Sequence, residues 1–492
     1  MSDQQSSYRQ IIKATSLFGG VQVFNIIIKI LRSKIIAVLL GPSGIGFLGL
    51  LNSTTAIISG LTNFGLGTSA VKDIAAANSS DNNNRISIII IVFQRLVWFT
   101  GIFGTLVMIV SSSWLSQFVF GNTEYTVAFL WISVTLLFTQ LSSGQMVILQ
   151  GMRKLQNLAK ANLLGSTLGL LVTFPLYYYW RIDGIVPGII CTSLVSLLVS
   201  WIYSRKITYD PVEVTYKQTL VEGKNMLHMG FMISISVLLG IGVSYIIRIF
   251  INRTGGINQV GLYNAGFAII STYVGMIFSA MGTDYYPRLS TVANDNKLCK
   301  QTINQQAEIT ILILAPVLLI FLIFINFVII TLYSQQFIGV NGLIYWAALG
   351  MFFRAPSWAI SFLFLAKGAS KLFFWNELFA NIYSVGLSIL GYTMWGLTGL
   401  GVAFGVTYFL YLIQVFFVGK IKFEFAFSHV FIKIFLIQFL MALAAFLVMQ
   451  FLNKPFTYYI GIILIGISSW YSLKELNKRL EFKSLFNRRR HK

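Results

Sequence analysis

Charged side chains are scarce in this sequence, and acidic ones are the scarcest. Its 492 residues include 15 Asp and Glu against 36 Lys and Arg, and charged residues make up 10% of the chain whereas hydrophobic residues make up 56%. A soluble domain of this size needs more polar surface than such a composition can supply. Apolar runs of about twenty residues recur along the whole length, which predicts a polytopic helical membrane protein.

Cysteine and histidine are almost missing, with two and three copies. Cys191 lies in an apolar run and Cys299 in a polar loop, so we expect neither a disulfide framework nor a cysteine metal site. His228, His429 and His491 fall at predicted helix starts or in the C-terminal tail and form no catalytic pattern. A Gly-rich loop followed by Lys and Ser or Thr, the mark of a nucleotide-driven motor, is also missing. We therefore expect neither an enzyme activity nor a cofactor.

The apolar runs predict an all-α integral membrane protein with about fourteen spans. If the N-terminus is cytoplasmic, 27 of the 36 basic residues fall in cytoplasmic segments, three in outer loops and six within spans. Because basic residues collect on the cytoplasmic side, both termini are predicted to be cytoplasmic. The net charge of +21 is assigned to this topology, and no nucleic-acid partner is expected. The predicted spans lie near residues 13–39, 45–69, 86–110, 126–150, 161–180, 185–204, 226–251, 262–286, 307–332, 342–366, 372–393, 397–419, 431–452 and 458–473.

A weak internal repeat suggests how the spans are organised. Gly46 follows Arg32 by 14 residues, and Gly261 follows Arg248 by 13 residues. Repeats in transporters predict two lobes with the cargo site between them. The longest cytoplasmic loop, 205–225, separates six spans from eight. The predicted domains are an N-terminal lobe at 1–210, a C-terminal lobe at 211–425, and two additional helices with a basic tail at 426–492.

The first predicted span carries a polar stripe. Six residues at intervals of three or four share one helix face, and five of them are polar. A cation that faces lipid at mid-depth costs roughly 2.5–3.5 kcal/mol on insertion scales, so we expect the stripe to face a water-filled cavity. A cavity lined by positive charge predicts a transporter with an anionic cargo. The stripe consists of Thr15, Phe18, Gln22, Asn25, Lys29 and Arg32.

Four segments carry a resemblance to a known family. They are AVLLGPSGIGFLGLL after Lys29, LTNFGLGTSAVKDIA, FGNTEY after the third predicted span, and VSYIIRIFINR around Arg248. They resemble bacterial O-antigen and enterobacterial-common-antigen flippases of the multidrug/oligosaccharidyl-lipid/polysaccharide exporter superfamily. The resemblance covers most of the first twelve predicted spans and is closest over 20–125. Close relatives often stop at twelve helices, whereas lipid-II flippases of the same superfamily have fourteen.

The resemblance implies two six-helix lobes in a V around a central cationic cavity. It further implies that an undecaprenyl-diphosphate-linked oligosaccharide moves from the inner to the outer leaflet of the bacterial inner membrane, for the assembly of O-antigen or a similar surface polysaccharide. Besides this cargo, membrane lipids, a polysaccharide polymerase and a chain-length regulator are the implied partners. Two alternatives stay open, namely a multidrug or cation antiporter of the same superfamily and a lipid-II-type flippase. A cation exporter needs acids in its cavity, whereas this chain offers mainly Lys and Arg.

Intramembrane cations are the predicted ligands of the cargo diphosphate, since charge-assisted hydrogen bonds to phosphate are short and strong. Lys34 is off the polar stripe and is predicted to extend to the outer headgroups instead, and Arg32 has the same alternative. Arg354, near the middle of the tenth predicted span, has an internal ion pair as its alternative. The predicted diphosphate ligands are Lys29, Arg32, Arg248 and Arg354.

Neutral polar residues are predicted to contact the sugars, and two acids are predicted to couple an ion gradient. For the residues of the second span, helix packing by small polar side chains is an equal alternative. Asp284 and Glu377 are the intramembrane acids, and a surface ion pair between Asp284 and Arg288 is the favoured alternative for the first. The predicted sugar ligands are Gln22, Asn25, Asn52, Thr55 and Ser59.

Overall fold

The structure is a computed structural model that describes residues 3–79, 83–207 and 212–480. Those residues form fourteen α-helices, two 3-10 segments and one π-helical segment, and none of them forms a β-strand. The α-helices are α1 Asp3–Thr62, α2 Leu66–Ser79, α3 Asn83–Phe120, α4 Thr126–Gly151, α5 Leu155–Trp180, α6 Ile185–Ser204, α7 Tyr216–Gly255, α8 Ile257–Phe267, α9 Met276–Thr291, α10 Asn296–Leu332, α11 Asn341–Ala366, α12 Ser370–Phe423, α13 His429–Phe451 and α14 Lys454–Leu480.

Ten stretches of the described chain are long and apolar enough to cross a membrane. The longest has 54 residues, and an unbroken helix of that length would measure about 80 Å, far more than the ~30 Å hydrocarbon core. Three stretches contain a break and correspond to two predicted spans each, and α7, with 40 residues, corresponds to the predicted seventh span. The prediction of an all-α membrane protein with about fourteen spans is confirmed. The broken stretches are Phe24–Thr62, Leu155–Ser204 and Ser370–Phe423.

Glycine and proline cause the break within α1. Gly41 has φ 64° and ψ −166°, a backbone conformation that glycine adopts without steric cost, and Pro42 follows it. Proline lacks the N–H that would continue the hydrogen-bond ladder of the helix. The break therefore falls in the GPSG segment, between the first two predicted spans.

The second predicted span ends earlier than expected. Its predicted end is residue 69, but α1 ends at Thr62 and a new helix, α2, begins at Leu66. Phe64 and Gly65 between them have φ of 48° and 61°. A Cβ on Gly65 would overlap the backbone carbonyl of Gly230 on α7, so this turn fits only because Gly65 has no side chain.

Contacts divide the chain into two compact units, the first of which contains residues up to Gly261 together with Leu332–Ser334. Within this unit, α3 and α4 run antiparallel, and α5 and α6 form a hairpin closed by the 3-10 turn Arg181–Gly184. The part of α1 after the break runs antiparallel to α7. A hydrophobic core lies where α2, α3 and α4 meet the start of α7, and it includes Ile74, Ile90, Val147 and Met226.

The second unit contains Leu262–Thr331 and the chain from Gln335 onward. Helix α12 folds back on itself at Trp395 and Gly396, and its second half packs closely against α11. Helix α13 packs on α11 through phenylalanine rings, and α14 packs on α10, where Gly461 faces Ile323. The predicted lobe boundaries stay a prediction. In this contact division, α7 groups with α1–α6.

Candidate functional site

The two cations of the α1 stripe lie in the first unit and differ in their surroundings. Lys29 is exposed and makes no hydrogen bond or ion pair to the described part of the chain. Arg32 is half-buried beside α5, and its guanidinium lies close to the hydroxyl of Tyr177. That hydroxyl makes no hydrogen bond of standard geometry within the described residues, so the two groups interact electrostatically. An unpaired ammonium beside a half-buried guanidinium is suited to attract an anion.

The neutral residues of the stripe meet α5 on the same side. Asn25 is half-buried, and its side-chain oxygen accepts a hydrogen bond of 3.1 Å from the Ser166 hydroxyl. The guanidinium of Arg181 donates to the carbonyl of Leu39 near the end of the same helix half, at 3.0 Å. Gln22 lies on α1, but its side chain is outside the described part of the structure. The described part of the stripe, from Asn25 to Arg32, therefore packs along α5, with Lys29 left open, and the side chains of Thr15 and Phe18 are outside the described part of the structure.

The predicted sugar ligands of the second span become more buried along the helix. Asn52 is exposed, Thr55 and Ser59 are half-buried, and Thr62 is buried. The Thr55 hydroxyl donates to the carbonyl of Leu51 at 2.8 Å, which leaves its oxygen free to accept a further bond. Asn52 is the most accessible of these groups to a ligand.

A contact between Thr54 and Tyr245 was not predicted from the sequence. The two hydroxyls, on α1 and α7, are buried and lie 3.0 Å apart. Arg248 follows three residues after Tyr245 on α7 and is half-buried. Because residues three apart share a helix face, this hydrogen bond fixes the part of α7 that carries Arg248 against α1.

The end of α7 is attached to the end of α3. The Asn252 side chain donates to the Val119 carbonyl at 2.9 Å. The Arg253 guanidinium donates to the carbonyls of Phe118, at 2.9 and 3.2 Å, and of Gln117. These carbonyls belong to the last turn of α3. The Gln117 carbonyl also accepts from the Gly121 backbone N–H at 3.1 Å, whereas those of Phe118 and Val119 lie beyond the last helical N–H. A cation at a helix C-terminus also interacts favourably with the helix dipole.

Arg354 lies in the second unit between two aromatic rings. Its guanidinium carbon is 5.3 Å from the ring centre of Phe278 on α9 and 5.2 Å from that of Tyr408 on α12. Its guanidinium also lies 3.9 Å from the Met351 sulfur, and no carboxylate pairs with it in the described chain. Arg354 is thus held by cation–π contacts, which leave its outer N–H groups available.

The two predicted coupling acids differ sharply. The Asp284 side chain is 84% exposed, and its carboxylate lies 3.9 Å from Arg288, one helical turn away. Glu377 is half-buried within α12, and it accepts a hydrogen bond from the Tyr411 hydroxyl. The Tyr383 hydroxyl lies nearby and has no hydrogen-bond partner in the described residues. Glu377 is therefore the acid that sits in a protected polar cluster.

Comparison with known proteins identifies the family. Residues 35–341 match the family described as polysaccharide biosynthesis protein. The chain belongs to this family. Similar proteins include the lipid III flippases of Escherichia coli (strain K12) and Shigella flexneri. Each is 19% identical over 350 residues, which cover 71% of this polysaccharide biosynthesis protein and 83% of the relative.

Solved structures share the fold of this polysaccharide biosynthesis protein. The lipid II flippase MurJ, in an inward closed conformation, has a TM-score of 0.72 at 14% identity and covers 94% of this chain and 99% of its own. An inward-facing multidrug resistance MATE family transporter of the MOP superfamily has a TM-score of 0.66 at 18% identity. The match covers 82% of this chain and 94% of the transporter chain. These relatives are flippases and transporters, the class of protein that the sequence predicts here.

Proposed function

We propose that this polysaccharide biosynthesis protein flips an undecaprenyl-diphosphate-linked oligosaccharide from the inner to the outer leaflet of the bacterial inner membrane, for surface polysaccharide assembly. The observation that carries the proposal is the family match over 35–341. The similarity to two lipid III flippases supports a lipid-linked glycan as the cargo. Both termini are cytoplasmic in this proposal, and a polymerase and a chain-length regulator act on the product.

The cargo diphosphate interacts with intramembrane cations. Lys29 has an ammonium without a partner in the described chain, and Arg354 has N–H groups that its two aromatic neighbours do not engage. A guanidinium can donate two parallel hydrogen bonds to a phosphate, whereas an ammonium acts as a point charge. Arg32 and Arg248 add to the positive potential that attracts the diphosphate. Release requires that these cations act as a shared field and not as one tight clamp.

The sugars and the energy source use different residues. Asn25, Asn52, Thr55, Ser59 and Gln22 supply neutral donors and acceptors for the glycan. Glu377, which Tyr411 holds by a hydrogen bond, is the group through which an ion gradient is coupled. Asp284 is the weaker choice for this role because it is exposed and close to Arg288.

Complementation of a strain that lacks this protein tests the proposal. Lys29→Ala is expected to reduce surface glycan about tenfold at matched amounts of folded protein, since one charge-assisted contact of roughly 1.5–3 kcal/mol is lost. Arg248→Ala removes one charge from the positive potential and should reduce surface glycan by less. Lys29→Arg and Arg248→Lys keep the charge and should retain more export. Lys34→Ala, on another face of the same helix, is the matched control and should export normally.

Two results would contradict the flippase. Normal surface glycan with Lys29, Arg32 and Arg248 all replaced by alanine would exclude a cationic site for the diphosphate. Normal glycan in the deletion strain itself, together with a new sensitivity to cationic drugs, would instead assign the protein to drug efflux.

A further inference from the structure

A second group of cations surrounds a cavity of about 720 Å³ in the second unit. The cavity lies beside residues 297–309 of α10, where the predicted span at 307–332 begins. Helices α9, α13 and α14 each contribute a wall with their ends. Its polar lining includes Arg288, Lys297, Lys300, Glu308, Ser428 and Arg479.

Two of these cations have no partner within residues 3–79, 83–207 and 212–480. Lys297 is exposed and Lys300 is half-buried, and neither ammonium makes a hydrogen bond or ion pair to the described chain. Both lie in the first turns of α10, at the positive end of its helix dipole, where a lysine is electrostatically unfavourable. The Asp295 carboxylate is occupied by the backbone N–H groups of residues 297 and 298, at 2.7 and 3.1 Å. The arrangement concentrates positive potential that no acid of the described residues neutralises.

The one acid in the lining is already paired. Glu308 accepts a hydrogen bond of 2.9 Å from Arg479, and the Ser428 hydroxyl lies 3.2 Å from its other oxygen. Arg479 also contacts Glu475 on its own helix at 2.7 Å, and its bond to Glu308 fixes the end of α14 against α10. Arg288 is 43% exposed and donates to the Gln306 side chain at 3.0 Å. The carboxylate of Glu308 is therefore neutralised, and the open part of the cavity is positive.

An apolar strip continues from the cavity along α10. Ile309 lines the cavity itself, and Ile313 and Ile320 follow on the same helix face with 38% and 43% exposure. We expect exposed isoleucines on a helix that is apolar enough to cross a membrane to face hydrocarbon. A ligand that extends from the cavity along this strip needs an anionic head and an apolar chain.

We propose that this cavity binds the phosphate of an anionic glycerophospholipid, with its acyl chains along Ile313 and Ile320. Basic pockets between membrane helices are suited to such headgroups. Lys297 and Lys300 contact the phosphate, and the Glu308–Arg479 pair holds the surrounding helices. A polyprenyl diphosphate offers the same chemistry from a second source, and the experiment separates the two. This site does not depend on the proposed transport function.

Lipid binding to the purified full-length protein in neutral detergent tests the site by native mass spectrometry. The probes are phosphatidylglycerol, phosphatidylcholine with the same acyl chains, and undecaprenyl diphosphate. We expect preference for phosphatidylglycerol over phosphatidylcholine in the wild type. The double variant Lys297→Ser/Lys300→Ser should weaken phosphatidylglycerol binding about tenfold to thirtyfold, because each lysine near an anionic surface contributes about 1 kcal/mol.

Two controls make the result specific. Lys420→Ser/Lys422→Ser removes the same charge from exposed positions at the end of α12, outside the cavity lining, and should bind like the wild type. Lys297→Arg/Lys300→Arg keeps the charge and should retain binding, which separates a lost ligand contact from misfolding. Equal binding by the wild type and the serine variant, or no preference over phosphatidylcholine, would overturn the proposal. Loss of undecaprenyl diphosphate alone in the serine variant would overturn it in favour of the polyprenyl lipid.

Discussion

Arg354→Lys is expected to keep the charge of this residue while losing most of what holds it in place. The guanidinium lies between Phe278 and Tyr408, 5.3 and 5.2 Å from their ring centres. A cation–π contact contributes about 0.5–1 kcal/mol when exposed and about 2 kcal/mol when desolvated. Two contacts at a half-buried position therefore contribute about 1–4 kcal/mol. A lysine ammonium is compact and strongly hydrated and cannot stack as a plane on two rings.

The structure supplies the variants for a double-mutant cycle. Tyr408→Leu removes one ring face, whereas Tyr408→Phe keeps the face and is the control. We expect Arg354→Lys and Tyr408→Leu each to lower the free energy of unfolding, and their interaction energy to be about 0.5–2 kcal/mol. Tyr408→Phe should leave Arg354 in place and show little coupling. The measurement is reversible unfolding in mixed detergent micelles.

The same variants separate stability from transport. If Arg354 contacts the diphosphate, Arg354→Lys should reduce surface glycan even when the amount of folded protein is matched, because the bidentate donor geometry is lost. An interaction energy near zero in the double-mutant cycle would refute the cation–π contact between Arg354 and Tyr408. Unchanged glycan export with a destabilised protein would restrict Arg354 to a structural role.

Two further predictions concern the first unit. Arg85 holds the pKa of Glu222 below its usual range through hydrogen bonds of 2.5 and 2.9 Å. Glu222→Gln should therefore cost up to about 1 kcal/mol at neutral pH, as both side chains are partly exposed. A lowered pKa gives stabilisation that is present at pH values above the ordinary glutamate pKa and is lost as the pH falls through the pKa of the folded state. The free energies of unfolding of wild type and variant should therefore converge in acid. A difference in these free energies that stays constant across pH would contradict the ion pair. Gly46→Ala should destabilise by about 1–3 kcal/mol because its Cβ would overlap the Ile257 carbonyl, whereas Gly240→Ala on α7 meets open space and should be neutral or stabilising in thermal unfolding. Equal effects of the two alanines would contradict the close contact.

Local sequence predicted the features that local physics determines. Runs of apolar residues predicted the spans, because hydropathy is a property of neighbouring residues. The break at Gly41 and Pro42 falls between the first two predicted spans, because the conformation there depends on those two residues. The break at Phe64 and Gly65 was missed because its cause is the approach of Gly230, far away in the chain. The predicted span at 45–69 therefore ran through the break.

Contacts between helices that are distant in the sequence could not be predicted from it. Thr54 and Tyr245 are 191 residues apart, and nothing in either segment indicates the partner. The aromatic rings beside Arg354 come from two other helices, so its cation–π contacts could not be predicted from its own span. The two glycines that the spacing matched as repeat equivalents, Gly46 and Gly261, lie close together in the structure. A Cβ on Gly46 would lie against the backbone of Gly261.

The attachment of α7 to the last turn of α3 has a consequence for any motion that transport requires. Asn252 and Arg253 together satisfy the carbonyls of three successive residues, 117–119. If α7 moved away from α3, the Phe118 and Val119 carbonyls would lose these side-chain donors, at about 1–3 kcal/mol each unless water replaced them, whereas the Gln117 carbonyl would keep its bond from the Gly121 N–H. Water is plentiful at the surface of the membrane and scarce within it. The depth of this junction in the bilayer would therefore determine whether the two helices separate readily or travel as one rigid element.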